Sequence, residues 1–522
     1  MEVRSDLPRL KLIATMIGGC AVGDFDGDGR PDLYVANSIP RWGKPNTSDC
    51  GRLYRNAGGG RFEDVTQKSG IRACGLGMGA YWADLDGDGR LDLYLTNVGP
   101  NAVWWNRGDG TFEQGKDTGL EDPLFSAGAA FLDYDGDGRL DVAVANYLDS
   151  TPKWELSQEQ FELRVPEDYT GQPSHLFRNE GGRRFRDVTP ESGLAIPPAD
   201  TKTLSIAVLD YNGDGRPDLE FVNDRVSNRL FANRGGRFEE VTAETGAGVL
   251  GDHPRAGMGA AVGDPFGTGR DSLFVTNFGA EENSLYRNVD GVLFEDAGKA
   301  SGVAALGMPS VRWGTDFADF DNDGWPDLYA VGGHLAPRLV RALGRYRKKS
   351  AAYVNAGDRS FAQRSVLMHN LGEGRFVEWD DAGDFGRTRM AGRGSAVADL
   401  DGDGALDLVV VDVDGPVRIF RNTLPGGNWI AIEPRAGNDG RTPLETRVRV
   451  TANGRAQAQT YRVSPSYLSG SLVPLHFGLG AAAKADEIEI QWPGGPVQTF
   501  RDVPGGAYSI TRDGALAAAT PR

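Results

Sequence analysis

Residues 77–97 read GMGAYWADLDGDGRLDLYLTN, and how often that pattern recurs decides the fold. Its central nonapeptide, DLDGDGRLD at 84–92, returns as DFDGDGRPD (24–32), DYDGDGRLD (133–141), DYNGDGRPD (210–218), DFDNDGWPD (319–327) and DLDGDGALD (399–407). A seventh frame, DPFGTGRDS at 264–272, keeps the glycines and has lost most of its acids. Successive frames start 60, 49, 77, 54, 55 and 80 residues apart. Repeats at such periods mark arrays and propellers.

The surroundings repeat as well. Five residues before each first position stands Gly19, Gly79, Gly128, Ser205, Gly259, Gly314 or Gly394, within a run of small apolar residues. A β-branched or aromatic alternation follows, then an (L/V/I)-x-x-N segment such as LYRN (53–56), VWWN (103–106) or IFRN (419–422). Six units add a fourth segment, as in FEDVT (62–66) and FEEVT (238–242). Short runs of period-two patterning separated by turn signals predict an all-β protein. Seven units of four strands predict a seven-bladed β-propeller over 1–424, with the near-constant glycine on the innermost strand. The seventh unit shows three strands, and residues 7–14 (LPRLKLIA) are the candidate for its fourth, which would hide the ring's edges.

The acidic nonapeptides supply oxygen donors in a fixed order. Carboxylates at positions one, three, five and nine, with a carbonyl near seven, can wrap one hard cation, and glycine at six permits the turn. The donors are Asp24, Asp26, Asp28 and Asp32; Asp84, Asp86, Asp88 and Asp92; Asp133, Asp135, Asp137 and Asp141; Asp210, Asn212, Asp214 and Asp218; Asp319, Asp321, Asp323 and Asp327; Asp399, Asp401, Asp403 and Asp407. Position twelve is never Glu and a strand follows in place of a helix, so these are not EF-hands. The plainer reading is an Asp/Gly-rich turn without metal. Six crowded loops would repel without a cation, so about six structural calcium ions are expected. They would take the formal net charge from −17 to −5, adding +12.

These DxDxDG loops, with the following (L/F)YRN and FxDVT, resemble the FG-GAP/VCBS repeats of integrin-α-like propellers. The segment 428–512 resembles the ASPIC/UnbV domain of the cartilage acidic protein-like family, through GNWIAIEP (427–434), RVRV (447–450), SYLSGSLVPLHFGLG (466–480) and EIEIQWPGGPVQTF (487–500). It departs from that family's Gly-Ala-Arg-Val with Glu445-Thr-Arg-Val448. The resemblance implies a calcium-bearing propeller, often secreted or at a surface, and in some members an association with enediyne-type natural-product pathways. Read from its own residues, 428–512 is a small β-sandwich or barrel with six strand-like runs, at 429–434, 446–452, 457–463, 473–477, 486–492 and 497–501. His476 lies in an apolar run and reads as a structural histidine; the Ala-rich tail, 513–522, reads as frayed.

A net charge of −17 argues against a nucleic-acid partner. No run is long and apolar enough for a membrane helix. The N-terminal stretch lacks a leader's apolar core, so the reading is a secreted, periplasmic or cell-surface protein with its leader removed, or otherwise a cytoplasmic one. Of three cysteines, Cys50 and Cys74 fall on one face of the propeller and can bridge, which would argue for an oxidising compartment; Cys20 is expected as a buried free thiol.

Strands alternate in direction, so the acidic loops share one face with the strand 3–4 turns. The strand 2–3 loops share the other face with the links between blades. The long insertions, 38–51, 147–174 and 332–366, are strand 2–3 loops, and function concentrates on such loops. Ligand candidates on or near that face are Trp42, Lys202, His253, Arg255, Arg312, Asp316, His334 and Arg393. Asp316 stands where the other units have alanine or tyrosine; a buried pair with Arg312 or Arg393 is the plainer reading, a ligand contact the sharper one. The basic run 341–349 reads as a solvated face or an amphipathic helix. HExxH, GxSxG, Walker and CxxC signatures are absent. The leading function is a calcium-stabilised binding or interaction module with its site opposite the calcium loops. A biosynthetic enzyme with a pocket at the channel mouth, and a carbohydrate-binding or carbohydrate-active protein, are the alternatives. The partner is accordingly a small molecule, a glycan or a protein.

Overall fold

The computed structural model describes residues 16–36, 50–149, 166–248, 254–279, 281–306, 310–335, 362–413, 415–437 and 441–519. Seven sheets, each built on an antiparallel meander, follow one another along the chain. Their innermost strands are Cys20–Gly23, Gly77–Ala83, Ser126–Leu132, Thr203–Leu209, Gly257–Gly263, Arg312–Ala318 and Gly392–Ala398. Each packs on the next, and the last packs on the first, so the sheets close into a seven-bladed propeller. Apolar clusters fill the spaces between blades, such as Trp82, Leu93, Trp104 and Phe112 between blades 1 and 2. Blade 7 has three strands among the described residues. Residues 7–14, expected to complete it, lie outside them.

Crowding at the axis explains the repeated glycine. A Cβ at Gly19 would lie 2.1 Å from the Leu468 carbonyl oxygen and 2.5 Å from that of Met78. A Cβ at Gly259 would lie 2.4 Å from the Trp313 carbonyl oxygen. No side chain fits either place.

Ring closure has a second, repeated cause. The Asn of every (L/V/I)-x-x-N strand donates its side-chain amide to the position-two carbonyl of the preceding blade's acidic frame. Asn106 reaches Phe25, Asn179 reaches Leu85, Asn233 reaches Tyr134, Asn288 reaches Tyr211, Asn370 reaches Pro265 and Asn422 reaches Phe320, at 2.7–3.0 Å. Asn56 reaches Leu400 of blade 7 at 2.8 Å, which joins the two ends of the ring. All six runs read in the C-terminal segment are strands or overlap them, and two four-stranded sheets form a sandwich rather than a closed barrel. Ile430, Val448, Phe477, Ile488 and Trp492 are in its core. The tail is not wholly frayed, because Ala517–Ala518 pairs with Tyr508 and Ser509 through backbone hydrogen bonds.

The sandwich also sends a segment into the propeller. Gly470–Leu472 runs parallel to Cys20–Gly23 as a fifth strand inside blade 1. Ahead of it, Pro465 O accepts the Ser205 hydroxyl at 2.9 Å, and Tyr467 O–H donates to Met16 O at 2.9 Å. Ser469 Oγ accepts the Cys20 N–H at 3.0 Å and Ser471 Oγ the Val397 N–H at 3.1 Å. Tyr467 and Leu468 are fully buried. Residues 464–472 therefore fill the channel that the seven inner strands enclose.

Candidate functional site

The acidic loops lie on one face, as the strand directions require. In each, the position-nine carboxylate is a staple first. Asp92 accepts the N–H of Leu85 at 3.1 Å and that of Asn106 at 2.8 Å, and the other five acidic loops repeat the pair. Positions one, three and nine still converge. The carboxylates of Asp24, Asp26 and Asp32, of Asp84, Asp86 and Asp92, of Asp133, Asp135 and Asp141, and of Asp319, Asp321 and Asp327 each bring oxygens within 4.8 Å of one another.

The fit to a cation shows in what these oxygens lack. Asp86 Oδ1, Asp133 Oδ1 and Asp401 Oδ1 are buried with no hydrogen-bond partner. Burial, reinforced by neighbouring carboxylates, pushes Asp24, Asp84, Asp133 and Asp407 up to about 6 and Asp32, Asp141 and Asp218 up to about 8. A divalent cation relieves both the burial and the mutual repulsion. All donors are oxygen, which suits a hard ion. These clusters can therefore hold metal.

Guanidiniums stand over the loops from strand 3. Arg178 Nε lies 2.7 Å from Asp135, and Arg421 Nε 2.6 Å from Asp401. His369 takes this place in blade 6, 3.4 Å from Asp321, stacked on Trp379. In the acid-poor frame 264–272 the sandwich supplies the cation: Arg462 Nη2 lies 2.8 Å from Asp271 Oδ2, and Nη1 donates to Val208 O at 2.7 Å.

The sandwich covers this face. His476 Nε2 meets Asn322 Oδ1 of the blade 6 loop at 2.6 Å and stacks on Trp429, so the structural histidine is an interdomain one. Arg455 donates to Asp323 O at 2.8 Å and lies over Trp325. Gly480 N–H donates to Asn322 O at 2.8 Å.

The opposite-face candidates divide. Trp42, His253 and the run 341–349 lie outside the described residues. Arg393 is fully buried, lies over Trp313 at 4.3 Å and donates to His334 O at 3.0 Å. Arg312 donates to Arg364 O at 2.6 Å. Burial pushes both arginines down to about 10. Lys202 donates to Pro166 O at 2.9 Å, and Arg255 donates to Ser284 Oγ at 3.1 Å. These groups are tied into the framework. Asp316 pairs with neither Arg312 nor Arg393, contrary to the plainer expectation. It lies nearer the acidic-loop end of its strand and accepts hydrogen bonds from the Ser464 hydroxyl and the Phe317 N–H. It anchors the channel segment, which explains why the other blades need no acid there. The structure joins Cys50 to Cys74 and leaves Cys20 as a buried thiol.

The sequence reading missed the interblade role of the seven asparagines, although their invariance was visible, and missed the channel segment altogether.

Fold and loops together define a propeller of FG-GAP-like repeats carrying an ASPIC/UnbV segment. The FG-GAP-like repeat model matches residues 24–95 and 84–144, and the ASPIC and UnbV model matches 437–515. Among curated proteins the chain is related to cartilage acidic protein 1. It is 26% identical to that of Xenopus tropicalis over 499 residues, 92% of this chain and 62% of the relative. It is 28% identical to that of Homo sapiens over 318 residues, 60% of this chain and 43% of the relative. The chain thus spans between 43% and 62% of the length of these relatives. Among solved structures, a lectin of Agrocybe aegerita that recognises non-reducing terminal N-acetylglucosamine aligns with TM-score 0.41 and 17% identity, over 72% of this chain and 88% of that one.

Proposed function

We propose that the protein is a calcium-stabilised binding module of an oxidising, extracytoplasmic compartment, whose partner docks on the face opposite the acidic loops. One observation carries this reading. The sandwich covers the acidic-loop face and residues 464–472 fill the channel, so among the described residues the face bearing the strand 2–3 loops is the one left for a partner. A filled channel favours a macromolecular surface, protein or glycan, over a small molecule held on the axis. The Cys50–Cys74 bridge, which ties the end of the first insertion to the link into blade 2, supports the compartment. Calcium is supported by six all-oxygen loops, three of which hold an orphaned carboxylate oxygen.

The test is a binding screen of the full chain on protein and glycan arrays, repeated with residues 336–361 replaced by a short linker. Binding that survives the replacement, in a folded protein with unchanged calcium content, would sink the assignment of the face. A ligand coordinated to the acidic loops would sink it as well.

A further inference from the structure

Blade 3 differs from the other acidic loops at one atom. Elsewhere Oδ1 of the position-one aspartate accepts amides of its own loop: Gly27 and Asp28 donate to Asp24, Gly87 and Asp88 to Asp84, Gly213 and Asp214 to Asp210, Gly402 and Asp403 to Asp399, and Asp323 to Asp319. Asp133 is 7% exposed; its Oδ2 accepts the Gly138 N–H at 2.7 Å, while its Oδ1, beside the Gly136 amide, is buried and makes no hydrogen bond of standard geometry. At this point the sandwich inserts Glu445. Its Oε1 accepts the N–H of Asp133 at 2.8 Å, and the nearby Thr442 N–H donates to Gly138 O at 3.1 Å.

Glu445 is an odd residue for that place. Its φ is +68°, a left-handed backbone that favours glycine. It lines a cleft of about 910 Å³ together with Asp133, Asp135 and Asp210, and with the sandwich arginines Arg441, Arg447 and Arg462. Glu433, the sandwich carboxylate beside the blade 1 loop, is neutralised by Arg435 at 2.6 Å. Glu445 makes no ion pair among the described residues. A carboxylate on a strained backbone, facing three others and an orphaned oxygen, is accounted for when a cation lies among them.

We propose that Glu445 belongs to the cation site of blade 3, so that this ion is held jointly by propeller and sandwich and couples their docking. The inference rests on the calcium reading of the loops. Glu445→Gln separates it from a purely structural role, because the amide still accepts the Asp133 N–H but carries no charge. Calcium content by elemental analysis and affinity by titration calorimetry are measured on the full chain. E445Q is expected to keep five ions at wild-type affinity and to weaken one by about tenfold or more, since ligand charge tunes such sites. Glu445→Gly suits the left-handed backbone and is expected to lose the same ion while staying folded. In an Asp135→Ala background, E445Q is expected to add no further loss. Unchanged affinity for every ion in folded E445Q and E445G overturns the proposal. Wild-type protein that binds no calcium overturns it by a different route, because the calcium reading then fails first.

Discussion

Asn106 shows what one repeated side chain does for a ring. It is 1% exposed, and its amide donates to Phe25 O in blade 1 and to Leu91 O in its own blade, while Oδ1 accepts the Gly108 N–H. Truncation strands two buried carbonyls and one amide. Asn106→Ala is therefore expected to cost about 2–3 kcal/mol in urea unfolding at saturating calcium; a loss below roughly 0.5 kcal/mol would show that apolar packing alone holds the blades. His175 carries a pH dependence. Its Nδ1 lies 2.8 Å from the fully buried Asp122 side chain, which Asn146 also contacts. Burial opposes the charged imidazole, but the Asp122 contact outweighs it and raises the folded pKa above 6.5. A raised histidine adds stability that is complete below the unfolded pKa and is lost as pH rises through the folded one. Wild type should lose stability above about pH 6.5 relative to His175→Gln, which should trail it by about 1–2 kcal/mol at pH 6 and by less at pH 8. A constant gap across that range would refute the pairing.

At the scale of the element, the acidic loop was the most legible part of the chain. Nine consecutive residues carry the oxygen donors, the turn glycine and the staple, so spacing alone marks a cluster that could hold metal. The structure changes one detail: position nine holds the amides of position two and of the strand 3 Asn before it offers anything to metal. Asp135→Ala should lower the calcium content by one and reduce the melting temperature, while the frame 264–272 contributes no ion. Chelation by EDTA should remove all ions and lower the melting temperature by roughly ten degrees or more, because a ligand that binds only the folded state stabilises it by mass action. A melting temperature indifferent to EDTA would favour the metal-free turn. The arginine in the acid-poor blade was not legible. Arg462 is far from Asp271 in sequence, and nothing local to either marks the pair.

The whole molecule is where the sequence stops informing. Blades could be counted because each is a local pattern, and the inner glycines could be placed because convergence on an axis excludes Cβ. Residues 464–472 carry no such pattern. SPSYLSGSL has neither period, and its partners are spread from Met16 to Val397, so only the assembled ring gives it a role. The same assembly redefines Asp316, whose partner Ser464 is 148 residues away. A protein whose second domain fills the channel of its first should not behave as two domains. Heating in calcium is expected to give one cooperative transition, with calorimetric and van't Hoff enthalpies in agreement. Tyr467 is the test residue: it is fully buried, packs on Trp313 with ring centroids 4.8 Å apart, and donates to Met16 O. Tyr467→Ala should cost about 3–5 kcal/mol, in the range for truncating a buried aromatic side chain. If propeller and sandwich were merely adjacent, the variant would unfold in two transitions, with the sandwich unmoved. If the plug joins them, the single transition shifts down as a whole, and hydrogen exchange at Cys20 and Ala80 quickens together with that at Val448 and Ile488.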